Sequence, residues 1–308
     1  MKLRTEEKII VGALIVVIVI IVAAAIYFLL SQNPENNSEV DLQHGIGGTP
    51  EAISKPLPES EQAGYDLSNG NCSGSGPVEL TVSPRKEDEF LFLIPYGLMV
   101  GSHVTPIDHQ YFSPTEFNSP RDTYDVYAAA DGKIVEIQHR VSPPGSDHET
   151  DEYRIVFMHT CTFFTYFDLV TSLTPEIAAE FNAHENNNYA GNLDIEVKAG
   201  ELVGYIGGQT LDFAVWDTEK PLSGFVIPEH YESEPWKIYT ADPLDYCTPE
   251  LCDLLTQKNL RTAEPISGKI DHDIDGKLIG NWFKEGTNGY AGAGDPYYEG
   301  HLALVPDH

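Results

Sequence analysis

Beyond Val78 the apolar residues of this chain come in short runs divided by Gly, Pro and Asp, and that texture restricts the fold more than any other feature. The runs fall at 89–95, 125–137, 153–159, 163–169, 201–206 and 211–216. Short runs bounded by turn residues read as β-strands. Asp131-Gly132 between apolar flanks is a hairpin signal. The one clear helical stretch, 174–181, has Thr174 placed as N-cap, Pro175 at the first helical position and Glu176 in the first turn. It interrupts the strands as an insertion, and 182–192 reads as a loop. A second helix-like piece, 248–258, opens a C-terminal segment in which 267–270, 275–283 and 301–305 suggest further strands.

The N-terminal end has a different character. Residues 1–8 carry Lys2, Arg4 and Lys8 against Glu6 and Glu7, and an uncharged apolar run of 22 residues follows at 9–30. A helix needs about 20 such residues to cross a bilayer. A cleaved signal peptide has a shorter apolar region, about 7–15 residues, before a small-residue cleavage site. Ala23-Ala24-Ala25 imitates such a site, but the apolar run continues through Leu30. The expectation is a single uncleaved transmembrane anchor, with basic residues before it placing the N-terminus in the cytoplasm and the remainder outside the cell membrane. Residues 31–77 are polar and poor in aromatics, a composition suited to a disordered spacer. The expected organisation is a cytoplasmic tail at 1–8, an anchor at 9–30, the spacer at 31–77, a main domain at 78–246 and a C-terminal β extension at 247–308.

With 18 basic against 48 acidic residues the formal net charge is −30. A field of that sign repels phosphate backbones and anionic headgroups, which excludes nucleic acid as a partner. Four cysteines, Cys72, Cys161, Cys247 and Cys252, suit an oxidising exterior and allow three disulfide pairings. Cys247 and Cys252 are placed to close a small local loop, which leaves Cys72 to tie the start of the domain to Cys161. The paired Cys-x-x-Cys units of a zinc-thiolate site are absent.

Three segments, in order, resemble the lysostaphin-type zinc metallopeptidases, the LytM-like family with a duplicated hybrid motif. The stretch VYAAADGKIV at 126–135 is similar to that family's V-x-A-x-x-D-G-x-V. The stretch RIVFMHTCTFFTYFDL at 154–169 is similar to the segment that ends in Y-x-H-L, and 197–213, VKAGELVGYIGGQTLDF, to V-K-x-G-x-x-I-G-x-x-G followed by L-H-F-E. The resemblance covers about residues 90–216. It implies an all-β dominated fold, an antiparallel, barrel-like core with an open groove that holds zinc.

Family chemistry needs His, Asp and His on the metal and further histidines to position or deprotonate the attacking water. An open fourth position then lets zinc lower the pKa of its water to about 7. Carried over residue by residue, the catalytic Y-x-H-L histidine falls on Asp168, and the two His-x-His positions fall on Thr210 and Asp212. The upstream His-x-x-x-Asp pair falls on His109 and Ser113, or on His103 with Asp108 if a bulge intervenes. A remodelled metal set of His103, His109 and Asp212 is conceivable if 103–109 forms an extended strand, because alternate side chains then share a face. Asp168 could then serve as general base.

Tyr124, Tyr127, Tyr166, Phe167, Tyr205 and Trp216 are candidates either for a groove that stacks on sugars or peptides or for the core. The expected function is a membrane-anchored domain outside the cell, metallopeptidase-like but non-catalytic, that binds a cell-envelope peptide, glycan or protein. The alternatives are an active zinc hydrolase of cell-wall peptides with an unusual His/Asp site, and a structural subunit of the envelope.

Overall fold

The computed structural model describes residues 72–99, 103–143, 150–231, 234–287, 289–290 and 299–306. The anchor and most of the spacer expected from the sequence lie outside the described residues. Among the described residues no helix is long and apolar enough to cross a membrane.

The strands are β1 (Phe90–Ile94), β2 (Gln110–Pro114), β3 (Tyr124–Tyr127), β4 (Gly132–Val141), β5 (Asp151–Met158), β6 (Phe163–Val170) and β7 (Ser172–Leu173). They continue as β8 (Tyr189–Ala190), β9 (Ile195–Val197), β10 (Leu202–Ile206), β11 (Leu211–Asp217), β12 (Thr240–Ala241), β13 (Gly280–Phe283) and β14 (His301–Leu304). Among the described residues two α-helices accompany them, α1 (Pro175–His184) and α2 (Pro249–Lys258). Each starts with proline after a threonine. At α2 the Thr248 side chain accepts from the Leu251 amide, whereas at α1 Thr174 makes no such bond.

The main sheet runs β1-β2-β11-β6-β5-β4-β8, with β12 added to β11 and β9 to β4; β3-β10-β7 and β13-β14 form two smaller sheets. The named pairs are antiparallel. The barrel-like expectation is corrected to an open sheet, because β1 and β8 end the order without meeting. Beyond β1 the edge is taken by the chain that leaves α2, through a parallel bridge from Leu93 to Asn259.

Alternation along the strands gives the main sheet two apolar faces. Phe112, Phe157, Phe167, Phe213 and Val215 face one side, where Ile177 and Phe181 of α1, Leu251 and Leu255 of α2, and Val126 and Val203 of the small sheet complete the larger core. Val156, Tyr166, Ala214 and Trp216 face the other, beneath Phe225, Tyr231, Ile270 and Tyr290. Chain beyond β11 thus covers the second face, and α2 belongs to the main core. The aromatic candidates divide accordingly: Tyr124, Tyr166, Phe167 and Trp216 are buried, while Tyr127 and Tyr205 are half-buried.

The run 125–137 is not one hairpin. Its first half, β3, pairs with β10, and its second half, β4, pairs with β5, so Asp131-Gly132 is a crossing between two sheets. Asp131 fixes the crossing by accepting from the Ala199 amide at 2.9 Å and from Lys198 Nζ at 3.1 Å. Gly132 is required by close approach, since an added Cβ would lie 2.7 Å from Met158 O and 2.7 Å from His159 Nδ1. Gly132→Ala is expected to cost about 1–3 kcal/mol through overpacking against a strand carbonyl that cannot move alone. A urea midpoint unchanged from the parent would refute that close approach.

Two disulfides are present, Cys72–Cys161 and Cys247–Cys252. Around the first, Cys161 N donates to Gly74 O at 3.0 Å and Gly76 N to Thr162 Oγ1 at 2.7 Å. Residues 72–77, read above as the end of the spacer, are therefore tied to the domain.

Candidate functional site

Register places the candidate residues. On β11, Asp212 lies opposite Tyr111 of β2 and opposite Asp168 of β6. Beside them, Tyr153 pairs with Val170 and Ile155 with Phe167, so Asp168 and Leu169 together oppose Arg154 alone. This is a β-bulge, the device by which sheets re-aim a side chain. Leu169 takes a left-handed φ of 67°, and its amide donates to Asp168 Oδ1 at 2.9 Å.

The bulge turns Asp168 into a clamp for two arginines. Arg154 Nε donates to Asp168 Oδ2 at 3.0 Å, and Arg140 Nη2 bonds Oδ1 while reaching Glu152 Oε1 at 3.0 Å. Arg154 also lies over the Tyr166 ring, 5.2 Å from its centroid. Burial works against its charge, but the Asp168 carboxylate more than offsets that and raises its pKa.

His109 is bracketed by two acids. Its Nδ1 is 2.9 Å from Asp108 Oδ1, and its Nε2 is 3.2 Å from Asp212 Oδ2, an ion-pair distance outside hydrogen-bond alignment. Burial alone would lower the imidazole pKa, but the Asp212 and Asp108 carboxylates outweigh it and push it up to about 9. Burial raises Asp212, with His109 opposing. On its far side Asp108 Oδ2 meets Lys237 Nζ at 2.8 Å, and Lys237 reaches Glu234 Oε2 at 3.3 Å. Against its burial, Lys237 and His109 hold Asp108 well below the usual carboxylate range.

The segment 103–109 is not a strand; β2 begins at Gln110, and the preceding chain bends where Ile107 exchanges backbone bonds with Gly97 and Leu98. His103 nonetheless comes near, with its ring centroid 5.6 Å from that of His109 and its Nε2 3.4 Å from Tyr111 Oη. Ser113 is fully buried on β2, and Thr210 sits just before β11. The structure thus brings His103 and His109, on the chain before β2, together with Asp168 of β6 and Asp212 of β11.

Sequence reasoning missed Arg140, Arg154, Glu152, Lys237 and Glu234, although they decide the chemistry. Only Lys237 leaves a trace in the sequence, as a lone charge inside the aromatic stretch Trp236 to Tyr239.

Zinc, which the resemblance implies, does not fit these residues. A zinc-bound imidazole must offer a lone pair, whereas His109 turns each nitrogen to a carboxylate, and those carboxylates favour its protonated form. Asp168 is committed to two guanidinium groups. Among the described residues no three His, Cys, Asp or Glu side chains are placed to hold a metal ion. What the arrangement does chemically is neutralise itself: each buried acid has a basic partner, and partners span the sheet and its cover.

The raised His109 pKa fixes the sign of a pH effect. A group that binds its proton more tightly when folded contributes stability fully below its unfolded pKa, here 6.5, and loses it as pH rises through about 9. The loss is expected to be about 3 kcal/mol, counted once for the coupled His109–Asp212 pair. Urea midpoints between about pH 6 and pH 10 should fall in the parent and stay flatter in His109→Asn; parallel profiles would refute the assignment.

No family model and no curated protein matches the chain. Among solved structures it is similar to a zinc-containing peptidase from Vibrio cholerae, with 15% identity over 47% of this chain and 39% of that one, at a TM-score of 0.30. It is similar to lysostaphin in solution, with 15% identity over 44% of this chain and 46% of that one, at 0.28. The SpoIIQ–SpoIIIAH pore-forming complex gives 10% identity over 55% of this chain and 92% of that one, at 0.33. The chain spans less than half the length of the first two, and all three stand as likenesses of part of the chain.

Proposed function

We propose that this chain is a non-catalytic binding domain of lysostaphin-type design, held at the outer face of a cell membrane by residues 9–30, where it binds an envelope peptide, glycan or protein. One observation carries the non-catalytic part. Asp168, which stands where the resemblance asks for a catalytic histidine, is gripped by Arg140 and Arg154. A general base must have an oxygen free to reach water, and both Asp168 oxygens accept from guanidinium groups. The two disulfides suit an oxidising compartment, and the uncharged length of 9–30 suits an anchor.

The test is hydrolysis of cross-linked cell-wall peptides by the purified full chain, with added zinc and with a chelator. No cleavage above the buffer control is expected in either condition. Cleavage that zinc supports and the chelator abolishes would overturn the non-catalytic reading. Recovery of the full chain in the alkali-washed membrane fraction is expected, and its release by the wash would overturn the anchor.

A further inference from the structure

Lys237, Asp108 and Glu234 form an enclosed charged group beneath the chain that covers the sheet. Their residues are 6%, 6% and 8% exposed. The Lys237 ammonium lies 4.8 Å from the centroid of the Tyr290 ring, and Tyr96, Trp216 and Tyr231 belong to the same buried cluster, with Trp236 packed against it. A salt bridge on this scale is weak evidence for stability, because desolvation offsets most of the attraction. Beyond neutralising Asp108 and Glu234, the amine has no role in what is derived above. A primary amine held 2.8 Å from a carboxyl oxygen, with a second carboxyl 3.3 Å away, has the components of an amide-forming site.

We propose that Lys237 Nζ and Asp108 Cγ condense into an intramolecular isopeptide bond, with Glu234 as the proton relay. The reactants begin as an ion pair. In a dry, low-dielectric site a proton can pass from the ammonium to Asp108 Oδ2, leaving a neutral amine beside a neutral acid. The Nζ lone pair then attacks Cγ, the Nζ–Cγ bond forms, and the carbonyl π pair moves onto Oδ1. His109 Nδ1, 2.9 Å from Oδ1, donates to the charge that develops there.

Glu234 carries a proton from Nζ to the hydroxyl oxygen Oδ2. The Oδ1 pair re-forms the carbonyl, the Cγ–Oδ2 bond breaks, and water leaves. The balance is ammonium plus carboxylate giving amide plus water, with no oxidant, reductant or further reactant. Burial raises the Glu234 pKa, which favours the protonated form that a relay needs. Held in contact, the pair has the advantage of an intramolecular reaction, in which effective concentrations reach about 10⁵–10⁸ M. Since the neutral pair is the minor form, the reaction is slow and happens once per chain. It joins residues 129 apart and fastens the covering chain to the loop before β2.

Mass spectrometry of the full chain, reduced, denatured and taken after prolonged incubation at neutral pH, tests this. The expected mass is one water below that of the sequence, with trypsin failing to cut after Lys237 and one branched peptide containing Asp108 and Lys237. Glu234→Gln and Lys237→Arg should both return to their own sequence masses; Lys237→Arg keeps a cation opposite Asp108, so its fold can be checked independently. A parent at the sequence mass would overturn the proposal. So would a water loss that maps elsewhere, such as to Asp131-Gly132. Persistence of the branched peptide in Glu234→Gln would overturn the relay.

Discussion

Asp168→Ala is expected to destabilise the protein by about 3 kcal/mol, at the lower end of the cost of removing one partner from a buried charge pair. The lower end applies because the arginine side chains keep partial contact with water, at 30% exposure for Arg140 and 23% for Arg154, while Asp168 itself is 4% exposed. Without the carboxylate, Arg140 retains Glu152 and Arg154 retains its stack on Tyr166, with no hydrogen-bonded acid among the described residues in place of Asp168. Asp168→Asn should recover part of the loss, since it restores an acceptor without the charge. Asp168→His, which installs the side chain that the resemblance would place there, should be no better than alanine because it sets an imidazole between two cations. Urea midpoints at constant m-value measure all three. A stable Asp168→His protein would show that the arginines are not the clamp described here.

Breaking Cys72–Cys161 should have the other large effect. It closes 89 residues, against 5 for Cys247–Cys252. On the chain-entropy model the long loop contributes about 4–5 kcal/mol and the short one about 2 kcal/mol. The long bridge also holds residues 72–77 to the turn before β6, where Thr160 Oγ1 donates to Gly76 O at 2.7 Å. Cys72→Ser with Cys161→Ser should therefore lower the urea midpoint at least twice as far as Cys247→Ser with Cys252→Ser. Equal losses would mean that the ordered start of the domain gains little from its staple.

Strands were legible in the sequence where a short apolar run is bounded by turn residues, as at 163–169 and 211–216, which became β6 and β11 nearly residue for residue, buried on both faces. The 125–137 run was misread because a hairpin and a crossing between sheets use the same Asp-Gly step. What distinguishes them is the carbonyl of Met158 against Gly132, a contact made across 26 residues of chain. At the site, motif position led to His109, Asp168 and Asp212; strand register pairs the two acids, and His109 meets Asp212 from the chain before β2.

The groups that set their charge states could not be found in that way. Arg154 reaches Asp168 through a bulge, and Lys237 reaches Asp108 from 129 residues away, so no local spacing records either contact. Fold specification rests on alternation and turns, which are local. Charge compensation rests on packing, which is not.

Zinc titration of the purified full chain at neutral pH, compared with His109→Ala and Asp212→Ala, tests most directly whether this centre is a self-neutralised ion cluster or a metal site. An acidic surface binds zinc weakly everywhere, so the variants set the background. The expected result is one shared curve for all three proteins, with zinc removed from each by buffer exchange. A saturable uptake of about one zinc per chain, retained on exchange by the parent and lost in both variants, would contradict it.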